Sequence, residues 1–279
     1  MSNRNIVRRV AVGAAAVLLA TVGCTTGTEG EQQAAASIDE GFTIGLLLPE
    51  SKTARYEKFD RPYFEEAVAE LCPKCEVSYQ NADQDVSKQQ AQAEAMLTEG
   101  ASVLVLDAVD AKAAGSIVQQ AKEQGVPVIA YDRLAEGGVD YYVSFDNKTV
   151  GRVQGTALIE GMEKAGTAGE GQVIMINGSP TDPNAADFKA GAHEILDGQV
   201  EIGAEYDTPD WSPDKAQQQM EQAITAVGAD NISGVYSAND GMAAGIIAAL
   251  KAAGVDEMPP IPGQDAELAG IQRIISGDQ

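Results

Sequence analysis

Short apolar runs alternate with amphipathic stretches along most of the chain. The run Phe42–Leu48 is followed by a helical pattern over Lys58–Leu71, and this order predicts a β-strand followed by an α-helix. The runs Val103–Leu106 and Pro127–Tyr131 are hydrophobic almost throughout, which favours strands of a parallel sheet that is covered on both faces. The pattern therefore predicts an α/β fold.

The segment between the last two runs has the spacing of a helix with one apolar face. That face comprises Ala114, Ile117, Val118 and Ala121. Gly100 and Gly125 stand where the helices before the two strands should end, because glycine readily adopts the left-handed cap conformation. Tight connections between helices and strands follow.

The same alternation of apolar runs and amphipathic stretches occurs in the second half of the chain. Strands are expected there at Gln172–Ile176, Glu201–Tyr206 and Ile232–Tyr236. A helical segment follows each of them. Ser212 and Pro213 predict the start of one of these helices, since serine caps a helix and proline fits its first turn. A second α/β unit is therefore expected.

These patterns predict two lobes, each a parallel sheet flanked by helices. The segment Tyr141–Asn147 lies between the two units, so we place an N-terminal lobe at residues 41–147 and a C-terminal lobe at residues 148–279. The last expected helix, Ala266–Ile275, runs into the final residues without a closing strand. We therefore expect the second lobe to be incomplete at its C-terminus.

The first residues have the pattern of an export signal. Three arginines precede the apolar run Val10–Val22, which ends at Gly23 and Cys24. The run is too short to span a bilayer, and a small residue before a cysteine is typical of a lipoprotein signal peptide. Residues 1–23 are interpreted as that peptide and Cys24 as the lipidated N-terminus. Thr21 departs from the usual leucine or valine, so an ordinary cleaved signal remains the alternative.

Residues 24–40 are rich in small and polar amino acids, which is typical of a flexible tether. The expected location is the outer face of the cell membrane, held by the lipid anchor, or the periplasm. The chain is also strongly acidic. Removal of the three arginines of the signal from the 19 basic residues leaves 16 against 42 acidic residues, a net charge of −26. Such a charge repels nucleic acid, which is not expected as a partner.

The two remaining cysteines form the motif Cys72-Pro-Lys-Cys75 at the end of an expected helix. Outside the cytoplasm this spacing suggests a local disulfide, with free thiols or a metal site as alternatives. Zinc would need two further ligands, and His193 is the only histidine. The sequence therefore predicts no metal and no cofactor.

Ligands of parallel α/β sheets bind at the carboxyl ends of the strands, and the residues that follow the apolar runs are polar here. They are Arg55, Tyr56, Asp107, Asp110, Asp132, Arg133, Asn184, Asp210, Trp211, Asn239, Asp240, Gln264 and Asp265. This set places no base beside a nucleophile. The sequence also lacks the dinucleotide, Walker and metalloprotease motifs, so a binding protein is favoured over an enzyme.

The residue types suit a neutral sugar, because each hydroxyl both donates and accepts while Asp, Asn and Arg offer paired hydrogen-bonding atoms. Trp211, the only tryptophan, could stack on the apolar face of the ring. Simpler roles remain open: Asp110 and Asp240 are expected to cap helices, Asp132 and Arg133 could form a structural ion pair, and Arg55 and Tyr56 alone would be surface residues.

Six motifs in order resemble the sugar-binding periplasmic proteins of ATP-binding-cassette importers, especially the xylose-binding and multiple-aldose-binding branch. They are Thr53-Ala-Arg-Tyr56, Val128-Ile-Ala-Tyr-Asp-Arg133, Tyr142-Val-Ser-Phe-Asp-Asn147, Gly178-Ser-Pro-Thr-Asp-Pro-Asn-Ala185, Ser237-Ala-Asn-Asp240 and Gly263-Gln-Asp-Ala-Glu267. The resemblance spans residues 42–279 and implies the two-lobed periplasmic-binding-protein fold. It departs from the family at the C-terminus, where the family continues with a strand bearing a ligand lysine and then returns to the first lobe.

The resemblance implies a ligand set of Arg55, Tyr56, Asp132, Arg133, Asn184, Trp211, Asn239 and Asp265. Tyr56 stands where that branch often has tryptophan. The implied function is capture of a monosaccharide, xylose or a related aldose, by a monomer that delivers it to the membrane permease of an importer. The alternative is an extracytoplasmic sugar sensor that signals to a membrane receptor.

Overall fold

The computed structural model describes residues 37–279. The predicted signal peptide, Cys24 and most of the predicted tether therefore lie outside the described residues. Within the described part, the fold contains two parallel sheets flanked by helices, so the predicted α/β class is confirmed. None of the described helices combines the length and the apolar character needed to cross a membrane.

The first sheet has five parallel strands in the order β2-β1-β3-β4-β5. The strands are β1 (Thr43–Leu48), β2 (Glu76–Asn81), β3 (Val103–Leu106), β4 (Val128–Tyr131) and β5 (Tyr141–Val143). Three helices accompany them: α1 (Arg61–Leu71), α2 (Val86–Thr98) and α3 (Gly115–Glu123). A short π-helical segment, Tyr56–Asp60, runs directly into α1.

Side chains on the two faces of the first sheet enter separate apolar clusters, because successive residues of a strand point to opposite faces. Leu47 and Leu104 pack with the buried sides of α2 and α3. Leu46, Leu48 and Val105 form the other cluster with Tyr56. This two-sided packing explains why β1 and β3 read as continuous hydrophobic runs.

The expected details of this half agree with the structure. The four apolar residues assigned to the face of α3 are all buried. Gly100 and Gly125 follow the ends of α2 and α3 with φ of 91° and 72°, as expected of left-handed helix caps. The hydrophobic pattern does not predict strand β2, because its sequence Glu-Val-Ser-Tyr-Gln-Asn is mostly polar and contains no apolar run.

The second sheet has three parallel strands in the order β7-β6-β8. They are β6 (Gln172–Asn177), β7 (Ile202–Asp207) and β8 (Ile232–Ser237), accompanied by α4 (Asn147–Ala165), α5 (Pro183–Leu196), α6 (Pro213–Val227) and α7 (Asp240–Ala252). Ser212 accepts a hydrogen bond from the backbone N–H of Lys215 over 3.4 Å and caps α6, as predicted. A last helix, α8 (Leu268–Ser276), packs on α7.

The chain passes from the first sheet to the second between β5 and α4. Helix α4 begins at Asn147, and its buried residues Leu158 and Met162 join the core of the second sheet. The sheets thus divide in sequence near the predicted junction. The assignment of residues 41–147 and 148–279 to separate lobes remains a prediction.

Candidate functional site

All eight residues of the implied ligand set line one cleft that opens to solvent. The cleft lies at the carboxyl ends of strands from both sheets: Asp132 follows β4, and Asn239 follows β8. This is where parallel α/β sheets bind ligands. Six further residues complete the lining: Thr53, Phe145, Asn147, Asp182, Phe188 and Gln264.

Asp132 is held by two residues at the start of the helical segment that follows β1. Arg55 forms an ion pair with its carboxylate, and the hydroxyl of Tyr56 donates a hydrogen bond to Oδ2 of Asp132 over 2.9 Å. Arg55 also pairs with Asp60, with Nη1 3.1 Å from Oδ2. Tyr56 is only 2% exposed, so the simpler interpretation of Arg55 and Tyr56 as surface residues is wrong.

Arg133 is buried and does not pair with its neighbour Asp132. Its Nε lies 3.0 Å from Oδ2 of Asp182 and 3.6 Å from Oδ1 of Asp107, so the suggested Asp132–Arg133 ion pair is wrong. Its Nη2 donates to the hydroxyl of Tyr56 over 3.2 Å. Burial alone would lower the pKa of Arg133, but Tyr56 and the surrounding carboxylates raise it, and the guanidinium stays charged.

Asp182 is a central residue that the sequence analysis did not single out. It caps α5, because its Oδ1 accepts a hydrogen bond from the backbone N–H of Asn184 over 2.9 Å. Its Oδ2 accepts another from Nε1 of Trp211 over 3.1 Å. An aspartate before Pro183 is a readable helix-start signal, which could have drawn attention to this position.

Asn184 connects the start of α5 to the first half of the chain. Its Nδ2 donates to the carbonyl oxygen of Asp132 over 3.2 Å and to Oδ1 of the same residue over 3.0 Å. Its own oxygen accepts a hydrogen bond from Nδ2 of Asn147 over 2.8 Å. Gly151 makes this possible by letting α4 and α5 approach, since a Cβ there would lie 2.0 Å from the carbonyl oxygen of Phe188.

Trp211 forms an apolar wall of the cleft. Its ring packs against the backbone of Gly178, where a Cβ would lie 2.1 Å from the indole. Phe188 meets it edge-on, with ring centroids 6.2 Å apart and an interplanar angle of 72°. The indole is therefore fixed by packing on one side and by its hydrogen bond to Asp182 on the other.

The helix-capping predictions are half correct. Oδ1 of Asp110 accepts a hydrogen bond from the backbone N–H of Ala113 over 2.8 Å. Asp240 does not cap α7; Asn239 does, by accepting from the backbone N–H of Met242 over 2.8 Å. The carboxylate of Asp240 instead accepts from the backbone N–H of Glu267 over 2.9 Å, so it orders the loop that carries Asp265.

Three residues that line the cleft have a left-handed backbone conformation. Asp132, Trp211 and Asp265 all have φ in the left-handed region, at 59°, 52° and 88°. This conformation is unfavourable for most residues other than glycine and persists where the surrounding structure imposes it. Burial also raises the pKa of Asp265 to about 7, although the charge of Arg55 acts in the opposite direction.

The other chemistry-bearing residues lie apart from the cleft. Cys72 and Cys75 are joined by a disulfide with a Cα–Cα distance of 5.3 Å. His193 hydrogen-bonds Asp197 over 2.9 Å and Glu205 over 3.3 Å, and it does not line the cleft. Within residues 37–279, no three His, Cys, Asp or Glu side chains are grouped to hold a metal ion.

Comparison with known sequences places the chain among binding proteins. Residues 44–279 match the periplasmic binding protein domain family. The D-xylose-binding periplasmic protein of Escherichia coli is 35% identical over 242 residues, which cover 85% of this chain and 70% of that protein. The multiple sugar-binding periplasmic receptor of Rhizobium radiobacter is 32% identical, with coverage of 86% and 72%.

Comparison with solved structures agrees. An ABC transporter solute-binding protein from Clostridium phytofermentans, solved with bound β-D-glucose, superposes with a TM-score of 0.76. It is 32% identical, and the match covers 85% of this chain and 77% of that one. These relatives are named as binding proteins, in agreement with a binder rather than an enzyme. The chain belongs to the periplasmic binding protein family.

Proposed function

We propose that the protein captures one monosaccharide, xylose or a related aldose, in the cleft. The observation that supports this most strongly is the convergence of eight polar and aromatic residues from distant parts of the sequence on a single concave site. The names of the relatives in Escherichia coli and Rhizobium radiobacter, which bind D-xylose and multiple sugars, support the same ligand class.

The chemistry of the cleft suits a neutral sugar. Asp132 and Asp265 supply oxygens that accept hydrogen bonds from hydroxyls, and Arg55 supplies N–H groups that donate to them. Trp211 supplies a flat apolar surface for the C–H face of a pyranose ring. A sugar that lacked one hydroxyl would leave a charged partner unpaired at a cost of about 1 to 3 kcal/mol, so epimers would be discriminated.

Capture would require the two predicted lobes to close around the sugar. Asp132 comes from the first half of the chain and Asn184 from the second, and they meet in the cleft. A ligand that contacts both sides favours the closed form, because only that form offers all its contacts at once. Asp132 would then exchange part of its hydrogen bonding with Asn184 for sugar hydroxyls.

We further propose that the loaded protein delivers its sugar, as a monomer, to the permease of an ATP-binding-cassette importer. The glucose-bound neighbour from Clostridium phytofermentans is named as such a transporter component. The proposal includes anchorage through Cys24 at the outer face of the membrane, which is supported by the export pattern of residues 1–24 alone. The sensor alternative is not proposed, because the neighbour and the family match favour solute capture.

Calorimetric titration tests the proposal. The purified protein is titrated with xylose, glucose, galactose, arabinose and ribose, and we expect at least one to bind with a Kd of about 1 μM or below. Trp211→Ala should weaken that binding, whereas Tyr63→Ala, which removes an exposed aromatic ring outside the cleft, should not. Chromatography should recover the sugar unchanged. Absence of heat with all five sugars, or equal affinity in both variants, would refute the assignment.

A further inference from the structure

Two carboxylates approach the same nitrogen of Arg133 from opposite halves of the chain. Oδ2 of Asp182, at the start of α5, lies 3.0 Å from Nε, and Oδ1 of Asp107, at the end of β3, lies 3.6 Å from it. All three side chains are almost fully buried, with exposures of 3%, 4% and 0% for Arg133, Asp182 and Asp107. Nε has no hydrogen-bond partner within the described part of the chain, so both approaches are ionic contacts, and one guanidinium has two carboxylate partners.

Asp182 holds two residues of the proposed sugar site at once. The oxygen that faces Arg133 also accepts the hydrogen bond from Nε1 of Trp211, while the other oxygen caps α5. The carboxylate therefore fixes the indole and the guanidinium relative to each other. Because Arg133 follows β4 of the first sheet and Asp182 belongs to the second half, this contact joins the two halves of the cleft.

Asp107 is fixed in the same half as Arg133. Its backbone N–H donates to the carbonyl oxygen of Leu47 over 2.9 Å, and its carbonyl oxygen accepts from Nε2 of Gln89 over 2.8 Å. Neither carboxylate oxygen has a hydrogen-bond partner among the described residues. A buried carboxylate without a hydrogen bond is costly. Burial raises the pKa of Asp107, and the charge of Arg133 acts in the opposite direction and favours the carboxylate form.

We propose that Asp182 is a positioning residue that stabilises the closed cleft through its contacts with Arg133 and Trp211. When Asp182 moves away, Asp107 becomes the carboxylate partner of Arg133. This inference rests on the proposed function. Separation of the halves would move Asp182 away but leave Asp107 beside the guanidinium. Without Asp107, opening would leave the guanidinium with only the neutral oxygens of Tyr56 and Ala108 as partners within residues 37–279, and loss of the last carboxylate beside a buried cation is unfavourable. The second carboxylate lowers that cost, so that binding of a ligand can shift the equilibrium between the open and closed forms.

The matched variants Asp182→Asn and Asp107→Asn test the exchange, since each neutralises one carboxylate beside the same guanidinium. Asp182→Asn retains an amide oxygen that can cap α5. Its NH₂ group, however, would face the N–H groups of Arg133 and Trp211 and could accept no hydrogen bond from them. We expect it to raise the Kd for the best sugar by about 30-fold or more, mainly through faster dissociation. Asp107→Asn should lower the Kd, because it removes the partner that favours the open form, and an unchanged or raised Kd would contradict the exchange.

Fluorescence supplies a second readout, because Trp211 is the only tryptophan of the chain. Loss of its acceptor in Asp182→Asn should shift the emission of the sugar-free protein, whereas Asp107→Asn should leave it unchanged. If Asp182→Asn does not fold, Asp182→Ser keeps a helix-capping side chain and serves in its place. Wild-type affinity in the Asp182 variant, or equal weakening in both variants, would overturn the exchange. Absence of sugar binding by the wild-type protein would instead overturn the proposed function.

Discussion

Nδ2 of Asn184 donates a hydrogen bond to Oδ1 of Asp132 over 3.0 Å, although 52 positions separate the two residues in the sequence. One residue belongs to the first turn of α5, and the other follows β4 of the first sheet. Their contact brings the carboxyl ends of two sheets to one point. Both residues belong to the ligand set expected from the sequence. A substitution at Asn184 therefore tests whether this contact contributes to sugar binding.

Replacement of Asn184 by alanine should weaken sugar binding about 10- to 100-fold, because a hydrogen bond to a charged group contributes about 1.5 to 3 kcal/mol. Isothermal calorimetry measures the change. Asn231→Ala is the matched control, since Asn231 is exposed and, among residues 37–279, its Nδ2 bonds only to the carbonyl oxygen of Val227. Equal affinities in the two variants would remove Asn184 from the site.

Much of this site could be predicted because one physical rule locates it. Residues that follow parallel strands share an edge of the sheet, and Asp132 and Asn239 were found in this way. Asp182 and Phe188 were not, because their roles depend on what packs against them. Asp182 faces Arg133 across the cleft and binds Trp211 of its own half, and Phe188 contacts the indole. Such pairings come from tertiary structure and leave no local periodicity.

Gly178→Ala should disturb the indole wall without adding or removing a polar group. The new methyl group would lie 2.1 Å from Trp211, so the ring must move, and overpacking of this kind costs about 1 to 3 kcal/mol of stability. We expect a shifted tryptophan emission spectrum and weaker sugar binding. Gly115→Ala is the control, because its nearest contact there, 3.6 Å, is an ordinary one. A Gly178 variant with unchanged emission would contradict the packing.

The fold shows the same division between local and tertiary information. Strands β3 and β6 could be predicted because burial on both faces makes them apolar throughout. Strand β2 escaped because it pairs with β1 at the edge of the sheet, where only one side is hydrogen-bonded and polar residues are tolerated. Its register with β1 runs from Thr43 opposite Glu76 to Leu48 opposite Asn81. This register depends on both strands, so the sequence of β2 alone does not predict it.

The disulfide should contribute to stability and not to binding. Cys72 and Cys75 lie between α1 and β2, at the amino end of that strand, whereas the cleft lies at the carboxyl ends. Replacement of both cysteines by serine should lower the free energy of unfolding by about 2 kcal/mol, as expected for closure of so short a loop. Denaturant unfolding measures that loss. A comparable loss of sugar affinity would show that the disulfide acts on the cleft.

The raised pKa of Asp265 predicts a loss of stability with rising pH. Burial raises this pKa to about 7, against an ordinary value of 3.8, and outweighs the opposing effect of Arg55; the nearby carboxylates of Asp132, Glu267 and Asp240 raise it further. Between these two values the folded protein keeps a proton that the unfolded chain has lost. The contribution of Asp265 to the free energy of unfolding therefore falls from pH 4 to pH 7 and is constant above.

Asp265→Asn should remove this part of the pH dependence, because the amide stays neutral at every pH. The variant should unfold at a higher denaturant concentration than the wild type at pH 8. The difference should shrink as the pH falls below 3.8, the ordinary pKa, because the wild-type carboxyl then becomes protonated in both states. Asp256→Asn, at an exposed position after α7, controls for the change in net charge. If the two variants change stability equally at pH 8, overall charge, rather than burial of Asp265 in the cleft, would account for the effect.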